Sequence, residues 1–175
     1  MVNALSLLTI RAWLKPRNVA PQLMQRFDLN TVAILYAIFA CITIAIVQMQ
    51  SNTPVYSSLL GYLLAPTIFI LLAKWATKLP WITLTKIVLL GFVVTMPLSL
   101  LSSVSIVPYT PDESNLVFYA LLGFLYAALT VWIIIIQLRL YSEMLDIRKR
   151  TVFAIVMGGG AIVLGVSLLL FQFTS

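Results

Sequence analysis

The residues best suited to bind a ligand or partner are basic side chains grouped before the first long apolar run. Arg11, Lys15 and Arg17 lie around Trp13 and Pro16. Guanidinium and ammonium groups bind phosphate and carboxylate oxygens, and an indole ring prefers the boundary between hydrocarbon and water. This stretch predicts a surface that faces anionic lipid head groups or a partner.

A second basic group lies between the fourth and fifth apolar runs and consists of Arg139, Arg148, Lys149 and Arg150. The helix of the fourth run is predicted to continue through this segment, because opposite charges recur four residues apart. The pairs are Arg139 with Glu143 and Asp146 with Arg150. An apolar stripe on the same helix is expected to pack on the N-terminal segment; it consists of Leu138, Tyr141 and Leu145.

Two prolines inside apolar runs are expected to distort their helices. Pro66 and Pro97 each remove one backbone hydrogen bond, so each predicts a kink unless neighbouring groups compensate. Ser99 and Ser103 follow Pro97 closely. Their hydroxyls either bond to nearby carbonyls and helices or line a small polar cavity, and the sequence leaves both alternatives open.

Groups that catalyse reactions or carry ions are scarce. The chain has no histidine, and no Asp, Glu, Lys or Arg lies in the middle of an apolar run, where such residues mark ion pathways. The single cysteine, Cys41, is interpreted as a small core residue. Without a general base, a phosphate-binding loop or a set of metal ligands, the sequence predicts no enzyme, no cofactor and no metal site.

The composition is that of an integral membrane protein. Hydrophobic residues make up 62% of the chain and charged residues 9%, against about 25% charged residues in soluble domains. A span needs about 20 apolar residues, so an all-α bundle of five transmembrane helices is predicted. The spans are expected at about 29–47, 57–73, 87–107, 116–138 and 151–173, after a separate segment at 1–28.

The basic residues sort to one side of these spans. All 11 Lys and Arg residues precede span one or lie between spans two and three or four and five. The positive-inside rule places the N-terminus in the cytoplasm and the C-terminus outside. Because the net charge of +6 sits at span ends, it indicates contact with anionic head groups rather than nucleic acid.

The segment 1–28 is expected to hold an amphipathic helix in the membrane interface. Leu7, Ile10 and Leu14 recur at helical spacing, and Pro16 should end the helix, since proline disfavours helical backbone in the preceding residue. A second short helix is expected after Pro21. The segment either binds a partner or only anchors the first span, and both alternatives stand.

Small residues recur four apart in all five spans. Examples are Ala37 with Cys41, Ser57 with Gly61, Gly91 with Thr95, Gly123 with Ala127 and Ala154 with Gly158. Such rows allow helices to approach closely in a bilayer. A compact bundle packed through these rows is therefore predicted.

Three stretches carry a family resemblance. They are Arg11-Ala12-Trp13-Leu14-Lys15-Pro16-Arg17, Met96-Pro97 and Leu129-Thr130-Val131-Trp132. In this order they resemble the bacterial form of the five-span Yip domain family, whose eukaryotic relatives interact with Ypt/Rab GTPases. The resemblance implies a cytoplasmic N-terminus, five helices, a place in the bacterial inner membrane and a role in membrane organisation. Since the long cytosolic N-terminal region of the eukaryotic proteins is not found here, no GTPase partner is expected.

Two functions of different classes follow from these features. The leading expectation is a non-enzymatic membrane protein that binds a protein, a lipid or a second copy of itself at the cytoplasmic face, through the N-terminal segment and the fourth loop. The alternative is a small-solute permease or channel with a path between spans two and three. A continuous polar cavity would favour transport, and a closed bundle would favour binding.

Overall fold

Every secondary-structure element in the described part of the chain is an α-helix. A computed structural model describes residues 2–50, 55–105 and 116–174. Within these ranges the side chains of residues 2–7, 17, 50, 55–58, 60, 102–105, 116–119, 167, 168 and 170–174 are not described. The helices are α1 (Val2–Leu14), α2 (Pro16–Arg26), α3 (Leu29–Gln50), α4 (Val55–Ala76), α5 (Trp81–Ser105), α6 (Leu116–Leu145) and α7 (Lys149–Thr174).

Four helices contain sections that are long and apolar enough to cross a membrane. These sections are Leu29–Met49, Trp81–Leu101, Ala120–Leu145 and Lys149–Val166. The corresponding apolar section of α4, counted over its described residues, is the shorter Gly61–Ala76. The prediction of an all-α protein is confirmed for the described residues, and so is the presence of several helices that are long and apolar enough to span a membrane.

Helix α5 is the central element of the bundle. It packs against α3, α4 and α6, while α7 packs against α4 and α6. In its most apolar window 61% of the residues are buried, compared with 11% to 22% in the other three long helices. Side-chain packing around α5 therefore contributes much of the contact between the helices.

The described core is concentrated at one end of the bundle, which we call the core end. The buried residues of α6 and α7 lie near the turn that joins these helices: Ile136, Leu140, Tyr141, Leu145, Val152, Ile155 and Val156. Towards the other end of α6, large apolar side chains are exposed, among them Leu121, Phe124, Leu125 and Val131. Exposed apolar side chains on helices of this length are suited to contact lipid tails.

Only some of the small-residue rows lie between helices. Gly91 directly faces the ring of Tyr141, and Gly159 faces the ring of Phe69. The space beside Gly61, Gly123, Gly158, Gly160 and Gly165 is open. The expectation that the rows in α3 and α6 are packing faces is wrong, since Ala37, Cys41, Gly123 and Ala127 are exposed. Cys41 is therefore not a core residue, because α3 turns Val32, Tyr36 and Ala40 inward instead.

Two helix boundaries differ from the sequence-based expectation. The second helix begins at Pro16, not after Pro21, because Pro16 occupies the first turn, where its missing N–H costs no hydrogen bond. Helix α6 does extend beyond the predicted span but ends at Leu145, where Asp146 adopts a φ of 52°. Asp tolerates this left-handed conformation better than most residues. The predicted helical pairing of Asp146 with Arg150 is therefore wrong.

The start of α3 supplies a pH-dependent contact. Asp28 immediately precedes α3, and a hydrogen bond from the Thr31 side chain holds the pKa of Asp28 below its ordinary value of 3.8, with a smaller effect from Lys86 in the same direction. Because the folded-state pKa is depressed, ionised Asp28 stabilises the fold above the unfolded value, and this contribution is lost as the pH falls through the folded pKa.

Replacing Asp28 with asparagine should therefore lower the unfolding temperature at about pH 7, and the difference should become smaller as the pH falls from 3.8 towards the folded-state pKa. Asparagine keeps the shape and removes only the charge, so it imitates the protonated side chain. Thermal unfolding of both proteins in the same detergent measures the difference. A difference that stays constant over this pH range would contradict the assignment.

Candidate functional site

Helices α1 and α2 form an N-terminal hairpin that packs on the bundle. Its buried side chains include Leu8, Ala12, Val19, Ala20 and Leu23. They belong to one apolar cluster with Leu90 and Val94 of α5 and with Leu140 of α6. Among the described side chains of α1, the exposed apolar ones are Ile10 and Leu14. The hairpin is thus part of the core, and Ile10 and Leu14 remain available for other contacts.

Trp13 fastens α1 to the central helix. Its indole Nε1–H donates a hydrogen bond of 2.7 Å to the backbone carbonyl of Val94 in α5. Pro97, three residues further on, has no N–H and so leaves the neighbouring Val93 carbonyl without its usual helical donor. Trp13 therefore binds α5 close to the point where Pro97 interrupts the backbone hydrogen bonds of α5. We expected an indole at the interface; the structure adds a specific acceptor inside the bundle.

Hydroxyl and amide side chains form hydrogen bonds in the same region of α5. Thr95 donates to the Gly91 carbonyl at 3.0 Å, and Ser99 donates to the Thr95 carbonyl at 3.3 Å. Gln137 of α6 donates to the Thr95 hydroxyl at 3.2 Å. Of the two alternatives for the hydroxyl cluster, these bonds match local backbone and interhelical bonding. Ser103 lies outside the described side chains.

Lys86 fixes the other end of the hairpin. Its Nζ donates a hydrogen bond of 2.7 Å to the carbonyl of Met24, in the last turn of α2. The last carbonyls of a helix lack intrahelical donors and carry partial negative charge, so a lysine there both satisfies an acceptor and complements the helix dipole. Lys86 acts as a C-terminal cap supplied by another helix.

Replacing Lys86 with methionine should lower the free energy of unfolding by about 1 to 2 kcal/mol, the usual range for a hydrogen bond to a charged group after some discount for its partial exposure. Methionine retains most of the side-chain volume. The matched control is Lys78→Met, because Lys78 is exposed in the connection between α4 and α5. Equal effects of the two substitutions would contradict the capping role.

Helix α6 contacts the hairpin through Leu140 as well as beside the predicted stripe. Leu140 packs in the hairpin's cluster, and Met144 contacts it from the side. Tyr141 and Leu145 belong instead to a second cluster with α4, α5 and α7, and the Tyr141 hydroxyl donates to the Val88 carbonyl. The contact was expected; Leu140, which was not in the predicted stripe, packs in the hairpin's cluster, and Met24 of α2 packs against the cluster that contains Tyr141 and Leu145. One helical turn presents both faces to different neighbours, and the apolar spacing does not say which neighbour each will meet.

Between the hairpin and the α6–α7 turn lies a positively charged depression, the basic groove. It consists of two cavities of about 330 Å³ and about 380 Å³ that share Leu14, Lys15 and Asn18. The first is completed by Pro16, Arg139, Glu143 and Lys149, and the second by Arg11, Val19 and Gln22. Residues from α1, α2, α6 and α7 therefore meet at one site.

The helix ends at the basic groove increase its positive potential. Helix α2 begins at Pro16 and α7 begins at Lys149, so two N-termini with partial positive charge lie at this site. Neither helix has an acidic residue in its first turn, and Lys15 at the N-cap of α2 makes no capping hydrogen bond with its side chain. The chain places cations where helix dipoles favour anions. Such an arrangement is suited to hold an anionic group.

The structure brings together most of the basic residues that the sequence singled out. Arg11, Lys15, Arg139 and Lys149 line the basic groove, with Pro16 buried at its edge. Arg148 and Arg150 are exposed beside it and are not among its lining residues. The Arg17 side chain lies outside the described part. Pro66 and Pro97 lie inside continuous helices away from this site.

Sequence reasoning did not assign Asn18, Gln22 and Glu143 to a site. Asn18 and Gln22 carry no pattern of their own, and they reach the basic groove because α2 starts at Pro16. Glu143 stands four residues after Arg139, a spacing that signals a helical pair rather than a shared cavity. In the described residues, no group of three or more His, Cys, Asp or Glu side chains could hold a metal ion.

No family model matches the chain, and no curated protein or solved structure is significantly similar to it.

Proposed function

We propose that this protein is a non-enzymatic, multi-pass membrane protein of Yip type that binds a protein or lipid partner at its cytoplasmic face. The observation that carries the proposal is the basic groove, in which side chains from the N-terminal hairpin, α6 and α7 converge. The hairpin is held by the hydrogen bonds of Trp13 and Lys86. A preformed surface of this kind loses little conformational entropy on binding.

The packing between α4 and α5 supports binding over transport. The rings of Phe69 and Phe92 meet there with centroids 5.5 Å apart. The cavity described beside Phe69 and Tyr141 has a volume of about 10 Å³, which is about the room needed for one water molecule. All buried side-chain N and O atoms of the described residues have hydrogen-bond partners. A permease would need a wider polar path between these two helices.

The proposed arrangement in the membrane has five spans, with α4 as the additional one. By the positive-inside rule, the basic residues at the core end place that end of the bundle on the cytoplasmic side. The exposed side of α1, with Ile10 and Leu14, then lies in the interface. In this orientation the N-terminus is in the cytoplasm and the C-terminus is outside, in a bacterial inner membrane.

Affinity capture from native membranes tests the proposed function. The intact chain is compared with the double variant Lys15→Gln/Arg139→Gln and with the control Arg26→Gln/Lys78→Gln, which removes the same charge outside the basic groove. Both members of the control pair are exposed. A partner retained by the control and lost by the groove variant supports the proposal. Equal recovery with all three proteins would overturn it. Trp13 is left intact because it holds the hairpin in place.

A further inference from the structure

We propose that the basic groove binds the phosphate of an anionic phospholipid head group. This inference rests on the proposed function and names the ligand class for the same site. Lys15, Arg139 and Lys149 line a single cavity together with Asn18. Charge-assisted hydrogen bonds from such side chains to phosphate oxygens are stronger than bonds between neutral groups.

Two helix N-termini at the cavity favour the same ligand. The N-termini of α2 and α7 lie at the cavity, and no acidic residue in either first turn neutralises them. Basic side chains at helix N-termini are unfavourable on their own, because the dipole favours anions there. A bound phosphate would interact favourably both with the basic side chains and with the helix N-termini. Two independent elements of the fold therefore converge on the same ligand chemistry.

Exposed apolar side chains beside the cavity favour a lipid over free phosphate. Leu14 lines both cavities and is 68% exposed, and Ile10 on the same helix is 48% exposed. A soluble anion would leave these side chains uncovered. A phospholipid places its acyl chains against them while its phosphate occupies the cavity, so one ligand satisfies the charged and the apolar parts of the site. The cavity of about 330 Å³ lies at the lower end of the usual range for small-ligand pockets.

Glu143 narrows the choice of head group. Its carboxylate lies in the same cavity and also takes part in an interaction within the chain. A carboxylate offers several acceptor positions, so it remains able to accept a hydrogen bond from a head-group hydroxyl. Phosphatidylglycerol combines one phosphodiester with two hydroxyls, and it is therefore the appropriate probe.

The test is a titration of the purified full chain in neutral detergent with phosphatidylglycerol, with phosphatidylcholine and with inorganic phosphate. Bound lipid is counted by native mass spectrometry. The intact chain should bind phosphatidylglycerol about tenfold or more tightly than phosphatidylcholine. The variant Lys15→Gln/Lys149→Gln should lose that preference, because each cation–phosphate contact is equivalent to about tenfold in affinity. The control Arg26→Gln/Lys78→Gln should retain it.

Three results would overturn the inference: unchanged phosphatidylglycerol binding by the groove variant, equal loss by the control, or displacement of the lipid by inorganic phosphate at equal concentration. Unfolding temperatures of all variants establish that each is folded. The capture experiment separates the two proposals. The variant Lys15→Gln/Lys149→Gln is used in both experiments; if it keeps its lipid but loses a protein partner in the capture, the lipid inference fails and the proposed function stands. If it keeps both, both fail.

Discussion

Replacing Trp13 with alanine should detach the N-terminal hairpin from the bundle and lower the free energy of unfolding by about 2 to 4 kcal/mol. This is somewhat below the usual cost for a fully buried tryptophan, because Trp13 is only partly buried. The variant loses both the packing of the ring and the hydrogen bond to the Val94 carbonyl. Denaturant unfolding followed by circular dichroism measures the change. A more limited change, Trp13→Phe, should cost about 1 kcal/mol, since it removes the donor and keeps an aromatic ring.

The matched control is Trp75→Ala. Trp75 is 91% exposed, so its replacement should alter stability by about 0.5 kcal/mol or less. If the two alanine variants unfolded alike, Trp13 would be an interfacial anchor only. The hairpin would then not depend on the contact with α5.

Replacing Gly91 with leucine should lower the free energy of unfolding by about 3 kcal/mol, the second large effect that we predict. This value is at the upper end of the usual cost of overpacking. A Cβ atom at this position would overlap the Tyr141 ring. Tyr141 cannot simply move aside, because it is buried and donates to the Val88 carbonyl at 3.2 Å. The contact between α5 and α6 should therefore open, and the unfolding temperature measures the effect.

Gly123→Leu provides the control for Gly91→Leu, since nothing lies within 4 Å of a Cβ atom at Gly123. It should leave the unfolding temperature nearly unchanged. The double variant Gly91→Leu/Tyr141→Ala should be more stable than the sum of the two single effects, because the second substitution removes the obstacle created by the first. Strict additivity would show that Gly91 and Tyr141 do not meet.

The helical class and the first helix end were predictable because they depend on local chemistry. Long apolar runs favour helices, because a helix satisfies its backbone hydrogen bonds within the segment. Pro16 disfavours helical backbone at Lys15, so α1 ends at Leu14. The break at Asp146 was missed, because the charge pattern continues past it and nothing in the spacing of the side chains marks a left-handed residue. The small-residue rows were also ambiguous, since they occur on faces that other helices contact and on faces that lipid contacts.

The candidate site was predictable in composition and not in geometry. Lys15 and Lys149 stand out as cations beside apolar runs, but they are 134 positions apart in the chain. Their meeting in one cavity depends on how α2 and α7 pack. Trp13 was identified as important, yet its partner Val94 offers only a backbone carbonyl. Every residue has such a carbonyl, so no sequence pattern could have pointed to this one.

The position of the N-terminal hairpin against the α6–α7 turn is tested most directly by cross-linking. Asn18 and Glu143 line the same cavity of about 330 Å³, so Asn18→Cys and Glu143→Cys should be joined by a short bifunctional thiol reagent in native membranes. The exposed Cys41 is replaced by alanine, and each single-cysteine protein serves as a control for links between molecules. We expect an intramolecular cross-linked peptide containing both cysteines. If both cysteines react with a monofunctional reagent but are never linked, the hairpin lies apart from α6 and the basic groove does not exist.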